Sequence, residues 1–272
     1  MPSPNEITIS QASRLIGLPD SPVFIDLRID ADFEDDPRLV PTAYRHSFKD
    51  LESLVPQLLD RKVIVYCQKG KKISQGGAAI LRNHGIQVET LEGGQFAWRD
   101  AGLSLIPHSK IPPKNSASQT VWVTKHRPKI DRIACPWLIR RFVDPGAMFL
   151  FVAPSEVLDV ADKYNATPFD VDDVFWSHRG ENCTFDAMIE EFQLMTDPLI
   201  RLSEIVRGAD TDRLNLTPQS AGLLAASLGL SRMYRDDYAQ LDAGMMLYDM
   251  FYRWARDATN ESHDWPAKSS KV

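Results

Sequence analysis

The chain has 272 residues, 43% of them apolar, and a formal net charge of −6. At about 100–200 residues per domain, this length suits two domains, each able to bury a core. The acidic balance supplies no basic footprint for nucleic acid, and no apolar run reaches the roughly 18 residues a membrane helix needs.

The chain opens on "MPSPNEITIS", which has neither the basic start nor the apolar stretch of a secretory leader. "ITIS" predicts a strand, and "SQASRLIGL" a short helix capped by Ser10. "VFIDLR", Val23 to Arg28, reads as a buried strand. "FKDLESLVPQLL" carries Phe48, Leu51, Leu54, Val55 and Leu58 at helical spacing. "KVIVYC" is a second buried strand. "SQGGAAILRNHG" predicts a helix ended by Gly85. "QVETLEGG" is a third strand, and "GQFAWRDAG" a last short helix. Continuous β-branched runs alternating with helices imply an α/β fold with a parallel sheet covered on both faces.

"PHSKIPPKNSASQT", from Pro107 to Thr120, is polar, proline-rich and without either hydrophobic period, so it predicts a linker. This divides the chain into domains 1–106 and 121–272. In the second, "VWVTK" and "AMFLFV" predict strands within a mostly helical α+β domain. "KIDRIACPWLIRRFVD" aligns Ile130, Ile133, Ala134, Trp137, Leu138 and Phe142 on one stripe, with Pro136 requiring a first turn or a kink. Asp131 and Arg132 read as a surface ion pair, and Arg140 and Arg141 as a solvated face. "TFDAMIEEFQL" puts Phe185, Met188, Ile189 and Phe192 on one face. Three further helical stretches complete the domain, and the tail after Ala258 reads as frayed.

The three cysteines, Cys67, Cys135 and Cys183, are odd in number and form no CxxC pair. That argues against a disulfide framework or zinc ribbon and for a reducing, cytoplasmic setting. Cys67 stands at the end of a predicted buried strand, where open α/β sheets bind ligands. The loop that follows, Gln68, Lys69, Gly70, Lys71, Lys72 and Ile73 before a helix start near Ser74, combines inward amides, a helix N-terminus and three cations. Gly70 supplies the turn. Such a setting favours thiolate over thiol. The plain alternative is a buried structural cysteine beside a solvated turn. A thiol phosphatase would need an arginine at the far end of the loop, and this loop has none. A sulfur carrier needs only a thiolate and N–H donors for the resulting persulfide.

The strand "VFIDLR" with Asp26-Leu27-Arg28, the loop "CQKGKKIS", and "LEGGQFAW" from Leu91 to Trp98 together resemble the rhodanese (thiosulfate sulfurtransferase) domain over roughly residues 5–106. The resemblance implies a five-stranded parallel sheet with flanking helices. It also implies that Cys67 is the persulfide-bearing nucleophile, cradled by amides from Gln68 to Ser74, and that the substrate is a small anionic sulfur donor, thiosulfate or a persulfide. Two departures stand out. "RLVPTAYRHSF" replaces the usual "GHIPGA" segment, and Lys72 replaces the usual arginine in a loop that reads one residue longer.

In the second half, His178, Glu181, Cys183 and Asp186 fall within nine residues of "FWSHRGENCTFDAMIEEF". Imidazole, thiolate and carboxylate all ligate transition metals, so His178, Cys183 and Asp186 are candidate ligands, with Glu190, Glu204 or Asp210 as further donors. A helix N-terminus would also bias Cys183 towards thiolate. The structural alternative is a turn histidine, a small buried cysteine and an acid favouring the helix dipole. No cofactor is fixed by the spacing, and a transition-metal ion is the one candidate. "RPKIDRIACPWLIRRFVDP", "SHRGENCTFDAMIEEF" and "LSEIVRGADT" resemble the C-terminal domain of chromate-resistance ChrB proteins, over about Val121 to Ala258. That resemblance adds chromate as a candidate partner, in a sensor or accessory role. DNA binding in the regulatory members is linked to a different N-terminal part, so neither a nucleic-acid nor a membrane partner is expected here.

Overall fold

In the computed structural model, which describes residues 5–261, the two buried runs of the first half become neighbouring strands. The elements in order are β1 (Glu6–Ile7), α1 (Ile9–Leu15), β2 (Val23–Asp26), α2 (Asp30–Asp35), β3 (Arg38–Leu39), β4 (Tyr44–Arg45), α3 (Val55–Leu58), β5 (Lys62–Tyr66), α4 (Lys72–Asn83), β6 (Gln87–Leu91) and α5 (Gly94–Asp100). Five of these strands pair in parallel in the order β1-β6-β5-β2-β4. Alternation along β2 and β5 sends Phe24, Ile64 and Tyr66 to one face. It sends Ile25, Val63 and Val65 to the other, where Leu51, Leu54, Leu58, Ala78 and Leu81 cover them.

Local chemistry moves some boundaries. The first helix is capped by Thr8 rather than Ser10: Gln11 N donates to Thr8 Oγ1 at 3.1 Å, and Thr8 N donates in turn to Gln11 Oε1 at 3.1 Å. "FKDLESLVPQLL" is not one helix. A 3₁₀ turn over Leu51–Leu54 gives way to the single turn of α3, because Pro56 fits only a first helical turn. The segment replacing "GHIPGA" forms β3, a tight corner with Thr42 at φ +69°, and the two-residue edge strand β4.

The stretch 106–120 is shaped by its own contacts. β7 (Ile106–Pro107) pairs antiparallel with β3, a 3₁₀ turn spans His108–Lys110, and Lys114 bridges Thr120. Beyond it lie β8 (Val121–Lys125), α6 (Asp131–Leu138), β9 (Met148–Val152), α7 (Val157–Tyr164), β10 (Thr167–Pro168), α8 (Thr184–Glu191), α9 (Asp197–Asp210), α10 (Ser220–Met233) and α11 (Asp237–Asp257). The order β10-β8-β9 makes a small parallel sheet against a helical layer. Every residue of the expected α6 stripe, from Ile130 to Phe142, is buried. Pro136 lies inside α6, and the helix rewinds into a wider π-type turn at Ile139–Val143 directly after it. From residue 262 the expected frayed tail lies outside the described residues.

The two halves share one core. Phe24, Tyr66 and Trp98 of the first belong to the same apolar cluster as Trp137, Phe142 and Tyr252 of the second. At the seam Thr42 N donates to Phe142 O at 2.6 Å, and a Cβ at Gly17 would stand 2.6 Å from the Phe142 ring. Arg141 is not on a solvated face: it grips Asp249 through two bonds of 2.8 Å, and Trp137 Nε1 donates to the same carboxylate.

Candidate functional site

Cys67 leaves β5 at the carboxyl edge of the parallel sheet, in register with the end of β2, where Leu27 N donates to Tyr66 O at 2.8 Å. The chain then turns through Gly70 at φ +65° and enters α4 at Lys72, two residues before the expected start. A Cβ at Gly70 would stand 2.6 Å from both Gly94 N and Leu91 O. A Cβ on Gly94, itself at φ +64°, would collide with Cys67 O and Gly70 N. Only glycine tolerates both the torsion and the approach. The "LEGGQF" segment thereby becomes a brace: Gln95 N donates to Cys67 O and Phe96 N to Gln68 O, each at 3.0 Å. With those carbonyls held from behind, the loop amides are free to face the sulfur.

The thiol itself is buried at 5% exposure, and its Sγ lies 3.4 Å from Ser74 Oγ. Burial alone would push its pKa up. The Ser74 hydroxyl and the amides of Ser74, Lys71 and Lys69 outweigh that cost and hold the pKa below the ordinary thiol value. Ser74 Oγ also lies 3.1 Å from Lys71 O, an acceptor that orients the hydroxyl. Of the predicted loop, Lys69, Lys71 and Ser74 supply the contacts to sulfur. Gln68 presents its carbonyl to the brace, Gly70 makes the turn, and Ile73 packs beside the core cluster below. Lys69, Lys71 and Lys72 are exposed, and no carboxylate among the described residues pairs with them.

Beside the loop, Asp26 and Arg28 form a fully buried ion pair at 2.6 Å. Arg28 spends its remaining donors on Asp36 O and Arg38 O, and Gln95 Nε2 donates to Asp36 Oδ2 at 2.6 Å. The "DLR" motif thus ties β2, the 36–40 corner and the start of α5 into one frame around the thiol loop.

The second candidate group is arranged differently from the expectation. His178 Nε2 faces three carboxylates: Asp210 Oδ2 at 3.3 Å, Asp170 Oδ1 at 3.4 Å and Asp131 Oδ2 at 3.5 Å. These raise the imidazole pKa to about 10, with Asp170 and Asp210 contributing most. Asp131 is therefore no surface partner of Arg132. It is fully buried, and Arg132 reaches Asp170 instead, at 3.3 Å. Asp186 is turned away: its Oδ2 accepts from Cys183 N at 3.0 Å as a helix cap, with Arg207 Nε at 3.8 Å. Cys183, expected to lean towards thiolate, does the opposite. Burial pushes its thiol up, and the charges of Asp131 and Asp186 push it further. Burial also raises Cys135. Glu190 and Glu204 are exposed on their helices, and Glu181 pairs with Arg213 at 3.0 Å.

Asp131 and Asp170 were missed by sequence reasoning. One opens a helix and resembles an acid favouring the helix dipole; the other lies in "FDVDD", an ordinary acidic turn by composition. They meet His178 only because α6, the loop after β10 and the end of α9 converge.

Residues 8–101 match the rhodanese-like domain family, and residues 122–255 match the family described as ChrB, C-terminal domain. The chain is similar to Protein ChrB of Cupriavidus metallidurans, 27% identical over 224 residues, covering 78% of this chain and 68% of that protein. A solved structure from Rhodopseudomonas palustris CGA009, described as a protein of unknown function and possible tyrosine phosphatase, is 29% identical. It covers 36% of this chain and 81% of its own, with a TM-score of 0.33. Thiosulfate sulfurtransferase from Pseudomonas aeruginosa is 22% identical, covering 38% of this chain and 19% of its own, with a TM-score of 0.34.

Proposed function

We propose that this chain, which joins a rhodanese-like domain to a ChrB C-terminal domain, is a sulfurtransferase acting through a persulfide on Cys67 in the setting of chromate resistance. The supporting observation is a buried sulfur whose pKa is lowered by a hydroxyl and three backbone amides rather than by a neighbouring side-chain cation. Fixed dipoles of this kind serve any anion that forms at the same point, so they suit a persulfide as well as a thiolate.

In the first half-reaction the Cys67 thiolate attacks the outer sulfur of thiosulfate. The Sγ–S bond forms as the sulfur–sulfur bond of thiosulfate breaks, and sulfite leaves with that electron pair. The terminal persulfide sulfur carries the negative charge towards the amides of Lys69, Lys71 and Ser74. In the second half-reaction cyanide or an acceptor thiolate attacks the terminal sulfur, and the Cys67 thiolate is regenerated. The exposed ammonium groups of Lys69, Lys71 and Lys72 draw the anionic donor to the loop. Lys72, in place of an arginine fork, offers a point charge and tolerates donors other than thiosulfate. The lack of an arginine across the loop weighs against phosphoryl chemistry.

A second reading keeps the anion cradle without the transfer. Chromate, like thiosulfate, is a tetrahedral dianion, and the three exposed lysines would attract either. Thiocyanate production from thiosulfate and cyanide separates the two. The transfer reading predicts production by the wild type and none by Cys67→Ser. A wild type that binds the anions and produces no thiocyanate favours the cradle alone.

A further inference from the structure

His178 has one hydrogen at Nε2, yet three carboxylate oxygens surround that atom at 3.3, 3.4 and 3.5 Å. A charge-assisted hydrogen bond closes to about 2.7–2.9 Å. None of the three does. In a tetrahedral metal site with bonds of about 2.0–2.1 Å, neighbouring ligand atoms lie about 3.3–3.4 Å apart. The distances from His178 Nε2 match those between ligand atoms around a shared centre, and the candidate ligand atoms of Asp131, Asp170 and His178 all lie within 4.8 Å of one another.

A second observation points the same way. Asp131 is fully buried, and its Oδ1 has no hydrogen-bond partner, while Oδ2 takes Thr184 N at 2.6 Å. An orphaned carboxylate oxygen in the interior is costly, and either a proton or a bound cation offsets that cost. The group is also built to hold a shape. Thr184 Oγ1 donates to Asp170 Oδ1 at 2.9 Å, and Arg132 steadies Asp170 Oδ2. The imidazole, 42% exposed, leaves the outer side open to solvent, so an ion has a way in.

We propose that Asp131, Asp170 and His178 bind one divalent first-row transition-metal ion, with Asp210 as a flanking carboxylate. One imidazole and two carboxylates leave a fourth position open for water or an oxyanion ligand. The donors are nitrogen and oxygen, so soft monovalent copper is disfavoured and zinc or manganese is suited. Of the sequence candidates, Asp186 caps α8 outside this site, and Cys183 borders Asp131 without belonging to the ligand set.

The probes are Zn²⁺ and, separately, Mn²⁺, titrated into the chelator-stripped full chain by calorimetry, with metal content measured after gel filtration. One ion per chain is expected for at least one of the two metals. Asp210→Asn should weaken binding roughly 10–100-fold, as loss of an outer partner does. His178→Ala and Asp170→Asn should weaken it more, whereas Asp186→Asn should leave it intact. His178 and Asp170 are not core residues, and circular dichroism checks that both variants fold. A folded wild type that retains neither ion overturns the proposal. So does binding that survives both His178→Ala and Asp170→Asn. Sulfur transfer by Cys67 is not needed for either result.

Discussion

Cys67 and Cys183 occupy similar places in the sequence and opposite places in chemistry. Each is a buried cysteine just ahead of a helix, α4 in one case and α8 in the other. The helix N-terminus is common to both, so it does not decide the outcome. The neighbours do. Around Cys67 stand the hydroxyl of Ser74 and three amides, and the pKa falls. Around Cys183, burial raises the pKa first, and the charges of Asp131 and Asp186 raise it further. Deep burial and nearby carboxylates in one case, and hydrogen-bond donors in the other, separate two thiols that stand alike before a helix.

The sharpest way to break that contrast is substitution. Cys67→Ser should abolish thiocyanate production, and Cys183→Ser should leave it within about twofold, since conservative changes away from the chemistry cost little. Equal losses in the two variants would dissolve the distinction. Alkylation comes next. At neutral pH iodoacetamide should modify Cys67 first in the folded chain, with Cys183 and Cys135 reacting only after denaturation, as mass spectrometry of the peptides would show.

Ser74→Ala probes the cause rather than the identity of the thiol. Removing that hydroxyl should raise the Cys67 pKa and slow alkylation at neutral pH several-fold, with the difference shrinking at high pH, where both thiols are ionised. The sign also fixes a stability trend. A thiol whose folded pKa is depressed stabilises the fold above the unfolded thiol pKa, and the contribution is lost as pH falls through the folded value. Relative to Cys67→Ala, the wild type should therefore gain stability as pH rises through that window, which denaturant titration at several pH values would detect. The smallest effect belongs to the lysines. Lys71→Ala with Lys72→Ala should raise KM for thiosulfate a few-fold at low salt and hardly at all at high salt, because exposed charges steer and are screened.

The parts legible in the sequence were those written in local pattern. Continuous runs such as "KVIVY" gave the strands of the parallel sheet, and the stripe from Ile130 to Phe142 gave the buried face of the second domain. Cys67 could be placed because strand, loop and helix follow one another without a break. The brace could not: the fit of Gly70 against Gly94 depends on two loops meeting across the sheet edge. Nor could the His178 group, whose carboxylates come from positions 131, 170 and 210. Polar residues in turns carry no period, so nothing local tells a buried acid from a solvated one. The shared core between the halves was equally hidden, since Phe142 reads in sequence simply as a helix-face residue, with nothing local to show Gly17 and Thr42 packed against it.

The most direct measurement is intact-protein and peptide mass spectrometry after brief exposure to thiosulfate without an acceptor. The account predicts a gain of one sulfur atom, carried on the peptide containing Cys67 and discharged by cyanide. An unchanged mass, or sulfur carried on Cys135 or Cys183 instead, would contradict it.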